Sequence, residues 1–424
     1  MSDAALQRFE QLFGPEFGHG KAFDLALLHQ ALTALGAPHT KLPPVFHIAG
    51  TNGKGSTIAF LRAIAEAAGL SVHAFTKPHL HQLNERFLIA GRTASDDALI
   101  AAAERVRAHG PQLTQFDAQV AAALLLFSEA PADLVLLETG MGGRDDSTNV
   151  VNPALSILTP IGLDHQDALG PSIADIAAHK AGILKPKTWA ITAQQSADVM
   201  DVIEAQAQSI GAPLWRQGVE WDAYANSGRL VVQTEQRTLD LPLPSLQGAH
   251  QIQNAGLAAA SFLSPTPFDI PDEAFAQGIR AARWPGRLQP LSAGALAAPV
   301  RALGGEVWVD GGHNAHAAQA LAHALAELQR KRAAPVALII GMRARKDAAA
   351  FIAALAPSAQ RIIAVPLSEA HIAPEQLAQL AREAGVEAST APSLAAAMQN
   401  AAQLPAPRVL ICGSLLLAAE ALRD

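Results

Sequence analysis

Residues 45–57 read VFHIAGTNGKGST, and this stretch decides the fold. Its apolar half, from Val45 to Ile48, is typical of a strand buried on both faces of a parallel sheet. Its glycine-rich half leads into a helical pattern from Thr57 to Ala68. Glycines let such a loop turn its N–H groups toward phosphate oxygens, and the helix N-terminus adds positive potential. The stretch therefore predicts a phosphate-binding loop.

The residues predicted to hold the phosphates are consecutive: Thr51, Asn52, Gly53, Lys54, Gly55 and Ser56. We expect Lys54 to reach the β and γ phosphates of a nucleotide. The pattern differs from a Walker A motif, because Ile48 stands at the position of its first glycine and Gly55 at the position of its hydroxyl residue. The alternative is a glycine turn before a helix, with an exposed lysine.

Outward from this loop, short apolar runs alternate with helical patterns, which is typical of an α/β fold with mostly parallel strands. Between Arg216 and Pro244 the residues alternate in polarity and predict an antiparallel subsheet or hairpin. A stretch rich in Ala, Gly and Pro, Ser292 to Pro299, predicts a domain boundary. The predicted strands of the first domain are 71–75, 134–137 and 154–158, and those after the boundary are 306–309, 335–340, 361–365 and 408–412.

Composition narrows the classes of function. The 424 residues carry a net charge of −7 with no long basic run, so we expect no nucleic acid partner. No apolar run reaches the roughly 20 residues of a membrane span, so we expect no membrane partner. The start of the sequence lacks the pattern of a signal peptide, and the single cysteine, Cys412, lies in an apolar run. We therefore expect a cytoplasmic protein with a buried structural thiol.

A series of motifs follows the loop in a fixed order and spans nearly the whole chain. Each is weak alone, but together and in order they are specific. They are Pro78-His79-Leu80, Asn84-Glu85-Arg86, the run 137–144 (LETGMGGR), Asp146-Ser147-Thr148-Asn149, Leu163-Asp164-His165, Lys180-Ala181-Gly182-Ile183, His250-Gln251 with Asn254-Ala255, Trp284-Pro285-Gly286-Arg287, Asp310-Gly311-Gly312-His313-Asn314 and Gly413-Ser414-Leu415.

With the Lys54-Gly55-Ser56 form of the loop, these motifs resemble the dihydrofolate synthase/folylpolyglutamate synthase family of the Mur ligase superfamily. The resemblance implies an α/β fold with two domains. Residues 1–290 would form an ATP-binding P-loop domain like the central domain of Mur ligases, with a mostly parallel sheet. Residues 296–424 would form a smaller, Rossmann-like domain for glutamate ligation.

The implied reaction is ATP-dependent: a carboxylate is phosphorylated, and the α-amine of L-glutamate attacks the acyl phosphate. The implied small-molecule partners are ATP, L-glutamate and dihydropteroate or a reduced folate, with two Mg²⁺ ions offsetting the phosphate charge. We expect a monomer. The catalytic residues that the resemblance implies are Lys54, His165, Lys180 and Arg287.

By the same resemblance, Glu138 and His165 are metal ligands, and Lys180 becomes a ligand once CO₂ has carbamylated it. Glu138 ends a predicted strand, where α/β ligand sites lie. From residue type alone, His165 is equally a helix-cap or core histidine, and Lys180 an ordinary surface lysine.

The resemblance also assigns the other ligands. Asn254, Arg287 and Asp310 would contact ATP, and His313 and Ser414 would contact glutamate. The alternatives are a turn aspartate, a solvent-exposed histidine and a helix-capping serine. The residues implied to hold the pterin are Thr114, Phe116, Asp146 and Ser147. An aromatic ring can stack on a flat heterocycle, but Phe116 equally fits core packing at a helix start.

Four departures from the family pattern bear on these roles. Lys77 stands where the family has a serine that binds the first Mg²⁺, so either the lysine replaces the charge of the ion or Thr76 takes the role. His179 stands where a glutamate precedes the carbamylated lysine. The remaining departures are Gln115 and Asp117 around Phe116, and Arg345 before Lys346-Asp347.

These departures keep other functions open. One is a divergent relative that joins an amino acid to another carboxylate, and another is an ATP-binding regulator without catalysis. Retention of Glu138, His165, Lys180 and Arg287 argues against the regulator, because a protein that only binds ATP has no need of a metal cluster. A cell-wall ligase is disfavoured by the Lys-Gly-Ser loop, and a P-loop kinase by the loop's departure from Walker A.

Overall fold

The structure is a computed structural model, and it describes residues 3–16 and 25–423. The chain divides into two compact units, Met1–Ser245 with Ile252–Ala282 and Leu246–Gln251 with Arg283–Asp424. The second unit thus takes up the chain at Arg283, ahead of the boundary that the sequence predicts between 290 and 296. The assignment of an ATP-binding domain and a glutamate-ligase domain stays a prediction. Of the residues it covers, 1, 2, 17–24 and 424 lie outside the described part.

The first unit is built on an eight-stranded sheet in the order β4-β3-β2-β5-β1-β6-β7-β8. Strands β2, β5, β1, β6, β7 and β8 are parallel to one another, and β3 and β4 add an antiparallel edge. The strands are β1 (Val45–Ala49), β2 (Val72–Phe75), β3 (Phe87–Ile89), β4 (Arg92–Thr93), β5 (Leu134–Glu138), β6 (Leu155–Leu158), β7 (Trp189–Thr192) and β8 (Leu214–Arg216). The prediction of a mostly parallel sheet is confirmed.

The helices of this unit are α1 (Ala4–Phe13), α2 (Leu25–Ala34), α3 (Lys54–Ala67), α4 (Asp96–His109), α5 (Gln115–Glu129), α6 (Gln166–Leu169), α7 (Ile173–Ala181), α8 (Ala197–Ile210), α9 (Ala249–Leu263) and α10 (Asp272–Ala281). Helix α3 begins three residues before the predicted start at Thr57, since Lys54, Gly55 and Ser56 form a polar first turn that shows no apolar period. Thr114 caps helix α5, and Asp117 completes the capping box.

The position of β1 explains how the sheet makes a site. β1 lies between β5 and β6, so the loops that follow these three parallel strands meet at one edge. All five residues of β1 and of β5 are buried, including the polar His47 and Glu138. Ligands of open parallel sheets bind outside the carboxyl ends of the strands. The order of strands therefore places the glycine-rich loop and Glu138 side by side.

The alternating segment between Arg216 and Pro244 forms a separate antiparallel sheet, as predicted. It contains β9 (Trp221–Asn226), β10 (Arg229–Thr234) and β11 (Thr238–Pro242). Trp221 and Ala223 are buried on β9, as Leu230 and Val232 are on β10, and residues between them are more exposed. This two-residue period is that of a sheet with one buried face.

The second unit is a six-stranded sheet in the order β12-β13-β17-β14-β15-β16, parallel except for β12. Its strands are β12 (Gln289–Pro290), β13 (Glu306–Val309), β14 (Val336–Ile340), β15 (Arg361–Ala364), β16 (Glu387–Thr390) and β17 (Arg408–Cys412). Its helices are α11 (Ala298–Arg301), α12 (Ala315–Lys331), α13 (Ala348–Leu355), α14 (Pro374–Glu383), α15 (Leu394–Ala401) and α16 (Leu415–Ala421). The predicted second α/β series is confirmed. Cys412 is fully buried, and burial raises the pKa of its thiol.

In the part of the chain that the structure describes, no helix has the length and apolar character needed to cross a membrane.

Candidate active site

The glycine-rich loop is held by its own backbone and by the strand beside it. The N–H groups of Thr51 and Asn52 both donate to the carbonyl of Pro160, at 3.0 and 3.3 Å. A Cβ on Gly50 would lie 1.9 Å from Thr159 Oγ1, and Gly50 has a φ of +151°, so only glycine fits there. The loop is therefore fixed against the segment that follows β6.

The end of the loop opens helix α3. Gly53 has a φ of +89° and precedes Lys54, the first helical residue. A Cβ on Gly53 would lie 2.5 Å from Asn254 Oδ1, so Asn254 packs directly on the loop, as its predicted ATP contact requires. The first N–H groups of a helix lack intrahelical acceptors and favour anions. The loop and the start of α3 are therefore the candidate phosphate site.

Two lysines meet at this loop. Lys54 Nζ and Lys180 Nζ both donate to the carbonyl oxygen of Gly50, at 3.1 and 2.9 Å. Lys54 Nζ also lies 3.9 Å from Glu138 Oε1. A carboxylate and the amino groups of two lysines are thus gathered where β1 and β5 end; the roles predicted for Lys54, Lys180 and Glu138 stay predictions.

Lys180 is not a surface residue, so that alternative is wrong. It is 5% exposed, in the last turn of α7. Burial and the nearby charge of Lys54 together lower the pKa of its ammonium to about 7, against the opposing effects of Asp164 and Asp146. An amine with such a pKa is neutral in a substantial fraction of molecules near neutral pH, as reaction with CO₂ requires.

His165 lies apart from a strand end. It follows the loop after β6, has a left-handed backbone with φ of 55°, and occupies the position before α6 without a side-chain cap bond. Its Nε2 is 4.0 Å from Asp164 Oδ2, and its side chain is 45% exposed, so the core alternative is wrong. Among residues 3–16 and 25–423 no three His, Cys, Asp or Glu side chains are grouped to hold a metal. The predicted ligand set, which includes a lysine, stays a prediction.

Asp117 links two of the residues predicted to hold the pterin, Thr114 and Ser147. Its Oδ2 accepts from Thr114 Oγ1 at 2.6 Å, and its Oδ1 accepts from Ser147 Oγ at 2.6 Å. Asp146 is 1% exposed, and its carboxylate accepts from the N–H groups of Met141 and Thr148. Burial raises the pKa of Asp146, although these hydrogen bonds oppose the shift. A departure from the family pattern, Asp117, thus organises the segment.

Phe116 packs tightly in the same segment. It is 8% exposed, and a Cβ on Gly140 would lie 2.3 Å from its ring, so the ring rests on the loop after β5. Lys77 Nζ lies 4.2 Å from the ring centroid. Beside it, Gln115 is 1% exposed, and neither atom of its amide has a hydrogen-bond partner within the described ranges. The ring of Phe116 is therefore packed in the core of the unit, as the alternative for this residue proposes.

The other departures have local partners. The backbone N–H of Lys77 donates to Glu138 Oε2 at 3.1 Å. The ammonium of Lys77 pairs with Glu16 Oε1 at 2.9 Å. His179 Nδ1 is 3.5 Å from Asp145 Oδ2.

In the second unit, the loops after the neighbouring strands β13 and β17 meet. Asp310 accepts from the N–H groups of Leu288 and Gly312, at 2.8 and 2.6 Å, and Gly413 N donates to Gly312 O. A Cβ on Gly311 would lie 2.8 Å from Arg287 Nη1, so Arg287 lies beside this loop. The turn role suggested for Asp310 is therefore observed.

His313 and Ser414 belong to the same loops. His313 Nδ1 lies 3.0 Å from Gly311 O. Ser414 Oγ accepts from Leu416 N at 3.1 Å and caps α16, as the capping alternative predicts. The departure at Arg345 precedes Asp347, which caps α13. The four predicted residues of this unit, Arg287, Asp310, His313 and Ser414, are thus gathered at one sheet edge.

Sequence reasoning missed several residues of these sites. Gly50, whose carbonyl receives both lysines, and Arg86 lie in motifs that the sequence shows, but Lys180 and Glu16, which bind them, are distant in sequence. His250 experiences the charges of Asp310 and Arg287, and burial lowers the pKa of its ring. Glu16 stands in no motif, so no signal in the sequence could have identified it.

Comparison with known proteins places the chain in a family. The model of the Mur ligase middle domain matches residues 48–262, and that of the Mur ligase glutamate ligase domain matches residues 299–415. The dihydrofolate synthase/folylpolyglutamate synthase of Bacillus subtilis is 35% identical over 340 residues, which are 76% of each chain.

Two solved structures share the fold. The Escherichia coli FolC protein in complex with DHPP and ADP is 31% identical, with a TM-score of 0.87 over 99% of this chain and 96% of that one. A bifunctional folylpolyglutamate synthase/dihydrofolate synthase with Mn, AMPPNP and L-glutamate bound is also 31% identical, with a TM-score of 0.84 over 99% and 97% of the two chains. The chain belongs to the dihydrofolate synthase/folylpolyglutamate synthase family of the Mur ligase superfamily.

Proposed function

We propose that this protein is an ATP-dependent ligase that joins L-glutamate to dihydropteroate, to a reduced folate, or to both. The observation that carries the proposal is the meeting of Lys54 and Lys180 at the carbonyl of Gly50, beside Glu138. The family supports the substrates, because relatives are named for these two activities and solved relatives hold ADP with DHPP, or AMPPNP with L-glutamate.

The residues of the chain have distinct tasks in this reaction. The loop 51–56 and the first turn of α3 bind the phosphates of ATP, and Lys54 neutralises charge on the transferred phosphoryl group. Thr114, Phe116, Asp146 and Ser147 bind the acceptor. Phosphorylation of its carboxylate gives an acyl phosphate, which the amine of glutamate attacks with loss of phosphate. In the second unit, Arg287 and Asp310 would contact ATP, and His313 and Ser414 would orient glutamate.

We propose Mg²⁺ as the divalent ion, with Glu138, His165 and the carbamate of Lys180 as its ligands. Two of these residues fit this role: Glu138 presents a buried carboxylate next to Lys54, and the lowered pKa of Lys180 favours the neutral amine that CO₂ modifies. When bound, the ion supplies positive charge that offsets the phosphate oxygens. Two ions, a monomeric state and a cytoplasmic location also remain our proposals.

Replacement of Glu138 tests the metal assignment. We expect Glu138→Ala to lower kcat by roughly 100-fold or more, because the carboxylate that would hold the positive charge of Mg²⁺ at the phosphates is lost. The readouts are steady-state ADP release and the Mn²⁺ affinity of the protein with AMPPNP, which does not depend on turnover. The control is Glu10→Ala, an exposed residue of α1. Substantial activity with unchanged Mn²⁺ affinity in Glu138→Ala would remove Glu138 from the ligand set.

The function itself is tested by ADP release from purified protein with Mg-ATP and L-glutamate. Three reactions are compared: dihydropteroate, tetrahydrofolate and no acceptor. Release with dihydropteroate supports dihydrofolate synthesis, and release with tetrahydrofolate supports tail extension. If ATP binds but neither acceptor stimulates release, the proposal is wrong, and the alternatives are a ligase for another carboxylate or an ATP-binding regulator.

A further inference from the structure

Lys77 follows β2 and places two of its groups on two parts of the site. Its backbone N–H donates to Glu138 Oε2, on the phosphate side. Its ammonium lies 4.2 Å above the ring centroid of Phe116 and 2.9 Å from Glu16 Oε1, on the side predicted to bind the acceptor. The ammonium of Lys77 is therefore paired with Glu16 on the acceptor side.

Glu16 is held in place by a second cation. Its Oε2 lies 3.0 Å from Arg86 Nη2, and Arg86 also donates to His79 Nδ1 and to Gln119 Oε1. The side chains of Lys77, Glu16 and Arg86 are 19%, 10% and 4% exposed. Burial alone would raise the pKa of Glu16, but Lys77 and Arg86 outweigh it and lower that pKa to about 2. The carboxylate is thus a fixed anion between two cations.

This network limits access to Phe116. The ammonium of Lys77 covers one face of the ring, Gly140 meets the ring directly, and Phe75 packs nearby with centroids 6.1 Å apart. Only 8% of Phe116 is exposed. A flat heterocycle can stack on the covered face only after the ammonium leaves it.

We propose that Lys77 and Glu16 determine acceptor specificity by covering the face of Phe116 until the pair separates. The inference rests on the proposed function, which assigns Phe116 to the acceptor. Separation removes the ion pair of Lys77 with Glu16, and a new anion beside the ammonium would offset that loss. An acceptor that carries a carboxylate supplies that anion, whereas a neutral heterocycle does not. The pair thus selects flat heterocycles with a negative charge.

The test is the equilibrium dissociation constant of two probes that differ only in charge, pteroate and its neutral carboxamide, measured by calorimetry without ATP. We expect Lys77→Ser to tighten binding of the carboxamide by about tenfold, since a cation–π contact and an ion pair no longer need to be broken. Pteroate should tighten less, so discrimination between the probes falls. Weaker or unchanged carboxamide binding in Lys77→Ser would overturn the proposal.

Three further variants separate the charge from the size of the cover. Lys77→Met keeps the length of the side chain without its charge and should discriminate poorly between the probes. Glu16→Gln should act in the same direction as Lys77→Ser but more weakly, and the double variant should add little to Lys77→Ser, since both act through one contact. The controls are Lys331→Ser and Glu10→Gln, both at exposed positions. Thermal denaturation confirms that each variant is folded.

The outcomes distinguish this inference from the proposed function. If no form of the protein releases ADP with folate acceptors but Lys77→Ser changes discrimination as expected, the inference stands and the function fails. If turnover is normal but Lys77→Ser weakens both probes, Lys77 contributes to acceptor binding and the inference fails. If neither probe binds any form of the protein, the inference also fails.

Discussion

The two units end their parallel strands in loops of the same kind, but the polar side chains of those loops act differently. In the first unit, Lys54 and Lys180 crowd onto one carbonyl, and burial lowers the pKa of Lys180. In the second unit, Asp310 and Ser414 complete the hydrogen bonds of their own loops. We propose that the first arrangement gathers charge for a bound ligand. The second arrangement stabilises the conformation of its own loops. We therefore expect substitutions at Lys54 to affect mainly activity, and substitutions at Asp310 and Ser414 to lower stability as well.

The largest expected effect is that of Lys54→Ala. Loss of the ammonium at the phosphate loop should lower kcat/KM for ATP by roughly 1,000-fold, as removal of a preorganised charge does. The unfolding midpoint should hardly change, because Lys54 starts a helix whose packing involves other residues. ADP release and thermal denaturation, with Lys331→Ala as control, test both statements. If Lys54→Ala keeps activity within tenfold of the unmodified protein, the charge of Lys54 does not serve the reaction, and the proposed difference between the two units is wrong.

Asp310→Ala should lower the stability of the protein. Removal of the carboxylate leaves the N–H groups of Leu288 and Gly312 without their acceptor, which should lower the free energy of unfolding by about 3 kcal/mol. Urea denaturation measures this effect. The matched control in the same unit is Asp347→Ala, which removes the exposed cap of α13 and should cost about 1 kcal/mol. Equal losses in the two variants would show that Asp310 has no special part in its loop.

Lys180 sharpens the comparison through pH. Its pKa is about 7 in the folded protein against a usual value of 10.5, so between these values the unfolded chain holds a proton that the folded chain lacks. The free energy of unfolding should therefore rise from pH 7 to pH 9, by up to about 2 kcal/mol. Lys180→Met should lack this rise. Urea denaturation at both pH values in CO₂-free buffer, with Lys331→Met as control, checks it. The same change in the free energy of unfolding with pH in the unmodified protein and in Lys180→Met would contradict the lowered pKa of Lys180.

Ser414→Ala gives the smallest effect and separates its two suggested roles. Loss of the cap on α16 should lower the free energy of unfolding by about 1 kcal/mol. Ser393→Ala is the control, because Ser393 also caps a helix of this unit, α15, where its hydroxyl accepts from Ala396 N. If Ser414 also binds glutamate, only Ser414→Ala raises the KM for glutamate. An unchanged KM would leave Ser414 as a capping residue alone.

The sequence was most informative where a local pattern carries the structure. The apolar run before the glycines predicted β1. The glycines predicted the loop after it, in which no residue other than glycine fits at position 50. The alternation after Arg216 predicted the antiparallel sheet. Both rest on neighbours in sequence, whose side-chain periodicity or backbone freedom can be read directly.

The parts that the sequence could not give depend on distant partners. Lys77 and Phe116 are 39 positions apart, and nothing in either segment indicates that an ammonium covers the ring. The carboxylate of Glu16, which pairs with this ammonium, comes from the segment just after α1. Burial of Lys180 likewise depends on how α7 packs on the loop after β1, so residue type alone favoured the wrong alternative, a surface lysine.

The division of the chain has a consequence for cutting the protein into pieces. Residues Leu246–Gln251 group with the second unit although Ile252–Ala282, which follow them, group with the first. The chain therefore passes between the units at three places, after Ser245, after Gln251 and after Ala282. No single break in the backbone releases two complete units. A fragment starting at residue 296 would lack both Leu246–Gln251 and β12, so a protease nick near the predicted boundary would leave two incomplete halves rather than two independent domains.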